Sequence, residues 1–190
     1  LTVYGVLRDG AGNFVGLQSS NWSVSGGIGT LSASPSTSVT LTLTQTGSGQ
    51  VTSSGTFSAS SGIVHVLPGA LASVKLRTDT LNTGVELGSV TLSVGDTLTG
   101  YTAGYDADGN FIANQAGVYT VSGTLQSGQL IVSGGGMRVR LAPTLPSSGK
   151  IATTAGAYQD SSGVITVTNT AQIAKVRINS LPNNAGVATD

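Results

Sequence analysis

The stretch 101-YTAGYDADGNF-111 has a weaker twin at 4-YGVLRDGAGNF-14, and the pair decides how the chain is read. Taken alone, DADGN presents two carboxylates two residues apart, followed by Gly and Asn, as a calcium loop does. Asp106, Asp108 and Asn110 are thus the candidate metal ligands. The twin argues for a turn instead. It keeps Asp9 in the place of Asp106, but Ala11 stands where Asp108 does. A calcium loop without its central carboxylate binds weakly, and no EF-hand glutamate follows either stretch. Both copies keep Gly-Asn before Phe, and a tight turn needs those residues because they tolerate positive φ. The expectation is a turn, with no metal and no other cofactor.

The twin is one part of a longer repeat. Leu1 aligns with Leu98 at an offset of 97, and Thr2, Tyr4 and Asp9 meet Thr99, Tyr101 and Asp106. At the same offset 22-WSVSG-26 meets 119-YTVSG-123. Further on, 61-SGIVHV-66 meets 162-SGVITV-167, and 74-VKL-76 meets 176-VRI-178. A period of about one hundred residues is the size of one immunoglobulin-like sandwich. Within it the pattern alternates at period 2, as in 39-VTLTLT-44, 74-VKLR-77, 90-VTLSV-94, 137-MRVRL-141 and 164-VITVT-168. Alternation of this kind marks half-buried antiparallel strands, and Gly, Ser, Asn and Asp between them supply the turns. No helical stripe is present. The fold class is therefore all-β, two tandem immunoglobulin-like antiparallel β-sandwiches.

The repeat is cut out of phase. Residues 70–169 read as a complete domain that opens with two strands, around 72-ASVKLRT-78 and 85-VELGSVTLSV-94. Residues 1–69 read as a domain that lacks its first strand. Residues 170–190 read as a first strand without a body. The chain is then either one period of a tandem array or a subunit that lends its C-terminal strand to the next. Strand addition satisfies an open sheet edge, and a head-to-tail contact that does not close generates fibres. Ile173, Val176 and Ile178 are the expected donors, with Leu1, Val3 and Val6 near the same seam.

Composition narrows the function classes. Charged residues are 8% of the chain, and Lys+Arg and Asp+Glu balance at 8 each. That excludes a basic face as the main business, so nucleic acid is not an expected partner. The absence of cysteine removes disulfides and thiolate ligands. No stretch is long and apolar enough to span a bilayer. A neutral surface rich in Ser and Thr fits a mature extracellular or cell-surface protein.

With these residues in hand, the chain resembles the bacterial Ig-like tandem-repeat domains of cell-surface proteins, including invasin- and intimin-like adhesins. The carrying stretches are the two quoted at the outset, 21-NWSVSGG-27 and 61-SGIVHVLPGA-70. The resemblance implies a seven-strand sandwich, an extracellular location, a role as spacer, stalk or fibre, and no catalytic residues. The second copy departs from the pattern with Tyr119 where the first has Trp22.

Other candidates are weaker than their structural readings. Trp22 and Tyr119 read as core aromatics bridging two sheets, because sugar-stacking needs a row of exposed rings and aromatics are only 5% of the chain. His65 sits between apolar neighbours and has no cysteine to complete a metal site. Arg138 and Arg140, and Lys75 and Arg77, read as solvated strand faces. Asn21-Trp22-Ser23 is a glycosylation sequon by pattern. The expected function is a structural subunit or repeat segment of an extracellular filament or surface fibre, whose partners are copies of itself. The alternative is an adhesin stalk or a carbohydrate- or receptor-binding module of a secreted or phage protein, with a host receptor or glycan as partner.

Overall fold

The computed structural model describes residues 1–80 and 83–169. Where Val, Ile and Leu alternate with Thr, Ser and Arg, the backbone runs extended, since pleating sends successive side chains to opposite faces. The first half holds ten short strands: β1 Thr2–Tyr4, β2 Val6–Arg8, β3 Phe14–Leu17, β4 Asn21–Val24, β5 Gly29–Leu31, β6 Ser38–Leu43, β7 Gly47–Gly49, β8 Val51–Ser54, β9 Ala59–Ser60 and β10 Val64–Val66. The second half holds β11 Ser73–Arg77, β12 Val90–Ser93, β13 Leu98–Tyr105, β14 Phe111–Asn114, β15 Val118–Val121, β16 Leu130–Ser133, β17 Arg138–Leu141, β18 Ser147–Gly149, β19 Ile151–Ala155, β20 Tyr158–Ser161 and β21 Ile165–Thr168. The only helical pieces among the described residues are two 3₁₀ turns, Ser127–Gln129 and Gly134–Gly136. No helix there is long and apolar enough to cross a membrane.

The strand numbers exceed the seven that the resemblance implies because single strands of the plan are broken into pieces. Residues 2–8 are one such strand, split at Gly5: β1 pairs with β6, and β2 pairs with β3. The continuous β13 makes the same two exchanges along one edge, with β17 and then β14. The remaining pairings also correspond: β4-β8-β9 matches β15-β19-β20, and β7-β10 matches β18-β21.

Two strands of the second half have no counterpart among the described residues of the first. β11 pairs antiparallel with the other edge of β13. β12 pairs with β21, and this pair is parallel, against the expectation of antiparallel sheets throughout. The geometry follows from the crossing of the chain between sheets. One N-terminal segment lays its first piece on β13 and its second piece on β21, so each sheet edge is covered by the strand direction that the crossing delivers.

Each half has its own apolar centre. Ile28, Val39, Leu41 and Val51 form one, and Trp22, Val24, Val64 and Val66 pack against it half-buried. Leu76, Leu87, Leu125, Val139, Leu141, Ile151, Ile165 and Val167 form the other. Val39, Leu41 and Val51 fall at the places of Val139, Leu141 and Ile151 in the strand pairings. The alternation in 39-VTLTLT-44 buries Val39 and Leu41 but leaves Leu43 exposed at the end of β6.

Candidate assembly interface

In the second half, β11 fills a slot between β13 and β20. Its main chain pairs from Ser73↔Tyr105 to Arg77↔Tyr101. On its other side the Leu76 N–H donates to the Asp160 carboxylate at 2.6 Å. Val74 and Leu76 point inward, and Leu76 is only 1% exposed. Lys75 and Arg77 alternate with them: Lys75 pairs with Glu86, and the Arg77 guanidinium lies 5.9 Å from the centre of the Tyr105 ring. Burying a side chain the size of leucine contributes about 1.5–3 kcal/mol.

The matching slot in the first half is an open groove. Its volume is about 350 Å³. Val3, Tyr4, Gly5, Val6 and Leu7 form one wall and Phe57, Ser58, Ala59 and Ser60 the other, with Trp22 and Val51 also lining it. Among the described residues no strand pairs with the groove-side edge of β1 and β2. Exposure records the difference. Tyr4 is 60% and Val6 45% exposed, while Ala103, at the place of Val6, is fully buried. Val64 and Val66 are half-buried, where Ile165 and Val167 lie in the core. Of the seam residues, Leu1, Val3 and Val6 belong to or adjoin this wall, and the Leu1 ammonium donates to the Leu41 carbonyl at 3.1 Å. Ile173, Val176 and Ile178 lie outside the described residues.

The two DxxGN turns share a local geometry and differ in surroundings. In each, glycine takes φ near +85°, at +88° for Gly12 and +82° for Gly109, with open space around it. Such a φ is the left-handed region that glycine enters without strain. One Asp9 oxygen accepts the N–H groups of Ala11 and Asn13, and the other accepts the Asn13 amide. Asp106 repeats this with Asp108 and Asn110. The first turn is exposed. The second lies between the halves, with Asp106 and Asn110 buried. There Asp106 also accepts the Gly69 N–H at 2.9 Å, and Asn110 donates to the Thr44 carbonyl at 3.1 Å and accepts the Thr46 N–H at 3.2 Å.

These bonds hold the Asp106 carboxyl down at about 2, with the Gly69 N–H the largest cause and the Asn110 amide next. Asp9 is lowered too, mainly by the Asn13 side chain. Both oxygens of Asp106 are thus committed to donors, and Asp108 is exposed. Among the described residues no three His, Cys, Asp or Glu side chains gather as a metal site would need.

The remaining candidates have identifiable places. Trp22 is half-buried beside the first centre and donates its ring N–H to the Ser36 carbonyl at 2.9 Å. Tyr119 is half-buried beside the second. Its hydroxyl accepts from Thr102 at 2.9 Å, Thr102 and Thr153 share a 2.7 Å bond, and burial pushes the phenol up. His65 is exposed and bonds Ser48 through Nδ1 at 2.8 Å. Asn21 is exposed at the start of β4, Arg138 donates to Ser133, and Arg140 is exposed on β17. The wall made by Phe57 and Ala59, and the joint residues Thr44, Thr46 and Gly69, escaped the sequence reading. One signal was available: Ala59 falls where the second half has Asp160.

No family model matches the chain, and no curated protein sequence matches it. Among solved structures it is similar to domains 1–6 of the surface-layer protein SbsC, at 17% identity and TM-score 0.39, over 96% of this chain and 26% of that one. Domains 5–6 of the same protein match at 18% identity and TM-score 0.36, over 90% and 89%. InvD of Yersinia pseudotuberculosis matches at 19% identity and TM-score 0.36, over 96% and 59%. The chain spans about a quarter of the longer SbsC structures. TM-scores this low carry no argument about ligand or partner.

Proposed function

We propose that the chain is a structural segment of an extracellular surface fibre or layer, joined head-to-tail by strand addition. In this reading residues 1–69 and 70–169 are two immunoglobulin-like units, and residues 170–190 complete the first unit of a second copy. The observation that carries it is the groove beside β1 and β2, which lies where β11 sits in the second half. The repeat sets the register. Val176 takes the place of Val74 opposite Leu7, and Ile178 takes that of Leu76 opposite Gly5. Main-chain bonds then give affinity, and the two apolar side chains give register.

In this reading the donor comes from another copy, because in the repeat the segment after the last strand of one unit completes the unit that follows, as β11 after β10 completes the second half. The location proposed here is extracellular or at the cell surface, in keeping with a surface of few and balanced charges and a chain without cysteine. No catalytic role is assigned.

The test is sedimentation velocity on the full chain at rising concentration. Growth into head-to-tail species is expected, and Val176→Asp with Ile178→Asp should abolish it. A peptide of residues 171–182 should cap growth and raise the melting temperature of the first half, as a ligand that binds only the folded state does. Growth unaffected by the double substitution would sink strand addition.

A further inference from the structure

The exposed Asp9–Asn13 turn joins β2 to β3 and meets no neighbouring unit among the described residues, yet it has the residues that the second half uses to grip its neighbour. In the buried copy the turn receives three main-chain groups from the unit before it: the Gly69 N–H on Asp106, and the Thr44 carbonyl and Thr46 N–H on Asn110. The turn-internal bonds of the two copies are the same, so Asp9 and Asn13 are held in the shape that makes those contacts. A solvent-exposed turn needs only its glycine and one Asx residue. Here the Asp and the Asn are both present, and both are aligned by each other.

We infer that the Asp9–Asn13 turn is the receiving half of an intermolecular joint, and that its occupant is the β17–β18 corner of a second copy of this chain. This rests on the head-to-tail reading and names a contact that strand addition does not supply. The strand pairings put Thr144 at the place of Thr44 and Pro146 at the place of Thr46. Thr144 is exposed, and its carbonyl takes the Asn13 amide. The place of Gly69 in the repeat falls at 170–171, outside the described residues.

Pro146 has no N–H, so the third bond of the internal joint has no equivalent between copies. Asn13 Oδ1 then stays unfilled. The joint between copies is the looser of two otherwise similar joints, and it is the one at which a fibre parts. This separates the chain into a firm pair of units and a releasable contact, with one residue setting the difference.

The absence of cysteine makes the test clean. Two single variants, Ala11→Cys, which leaves Asp9 and Asn13 intact at the place of Asp108 beside Thr44, and Thr144→Cys, are mixed as full chains and oxidised slowly. The heterodimer should form about tenfold faster than from Ala11→Cys mixed with Gly128→Cys, an exposed control site, because a docked pair reacts at raised effective concentration. Adding Pro146→Thr to the Thr144→Cys chain should raise the rate again. Equal rates with both partners overturn the joint. If the wild-type chain still grows in sedimentation and Val176→Asp with Ile178→Asp still stops it, the strand reading survives and the joint alone fails. Absence of both growth and the faster cross-link removes both.

Discussion

The second half covers both edges of β13, and among the described residues one edge of β1 and β2 in the first half has no strand on it. The rest of the plan is nearly the same, so the segment that forms β11 and β12 accounts for much of the difference in burial. Eight residues are buried in the second apolar centre and four in the first. Two of the additional ones, Leu76 and Leu87, belong to the segment that has no counterpart among the described residues of the first half. The remainder, such as Ile165 and Val167, have counterparts in Val64 and Val66 that stay half-buried. A sandwich core is therefore a property of the edge strand as much as of the sheet faces.

The largest expected effect tests this directly. Leu76→Ala should cost the second half about 2–5 kcal/mol, the range for emptying a leucine site in a closed core. Val3→Ala, on the groove wall of the first half, should cost less in the free chain and more once growth has occurred. Calorimetry at low and high protein concentration separates the cases. If Leu76→Ala is tolerated without loss, the contrast drawn between the halves is wrong.

A second difference concerns what fills the space behind the groove. The first half uses Trp22 against Gly5, where a Cβ would already lie 3.6 Å from the ring and 2.7 Å from the Gln18 carbonyl. The second uses the smaller Tyr119 with Thr102 and Thr153, which complete the volume and bond one another. Thr102→Val should cost about 1–3 kcal/mol, since it leaves two buried hydroxyls short of a partner. Gly5→Thr should be harmful for steric reasons, unless Trp22→Tyr accompanies it. Chemical denaturation of the single and double variants would show whether the two solutions can be exchanged.

The turns differ in acid. Asp106 sits at about 2 in the folded chain against an ordinary 3.8. A depressed carboxyl stabilises the fold fully above its unfolded value and loses that contribution as pH falls through the folded one. The contact between the halves should thus hold to about pH 4 and fade towards pH 2. Asp106→Asn should flatten that limb in an acid melt followed by scattering, and Asp9→Asn should change it less in the free chain. The smallest effect is expected at the exposed Lys75–Glu86 pair. Lys75→Ala should cost under about 1 kcal/mol, and added salt should remove the difference.

Much of this was legible in the sequence where the physics is local. Alternation at period 2 marks β6, β11, β17 and β21, because a strand with one buried face writes its pattern directly into the chain. The DADGN turn was legible because Gly109 and Asn110 are the residues such a backbone demands. What stayed hidden depends on distant partners. β7 and β9 are built of Gly, Ser and Ala and carry no apolar pattern. The parallel pairing of β12 with β21 is a matter of path. The grip of Asn110 on Thr44 and Thr46 joins segments more than sixty residues apart. The open groove was inferable only from the repeat, which exposes an omission that neither half reveals alone.

The parallel pair of β12 and β21 has a mechanical consequence. Four residue pairs, from Val90↔Ile165 to Ser93↔Thr168, hold the segment that enters the second half against the strand that leaves it. Tension applied before β12 and after β21 pulls along both strands in opposite senses. The bonds between them then bear the load in shear, together, instead of opening one after another as a zipper does. Rupture requires the whole ladder to slip at once, which makes this pair the clamp that resists stretching.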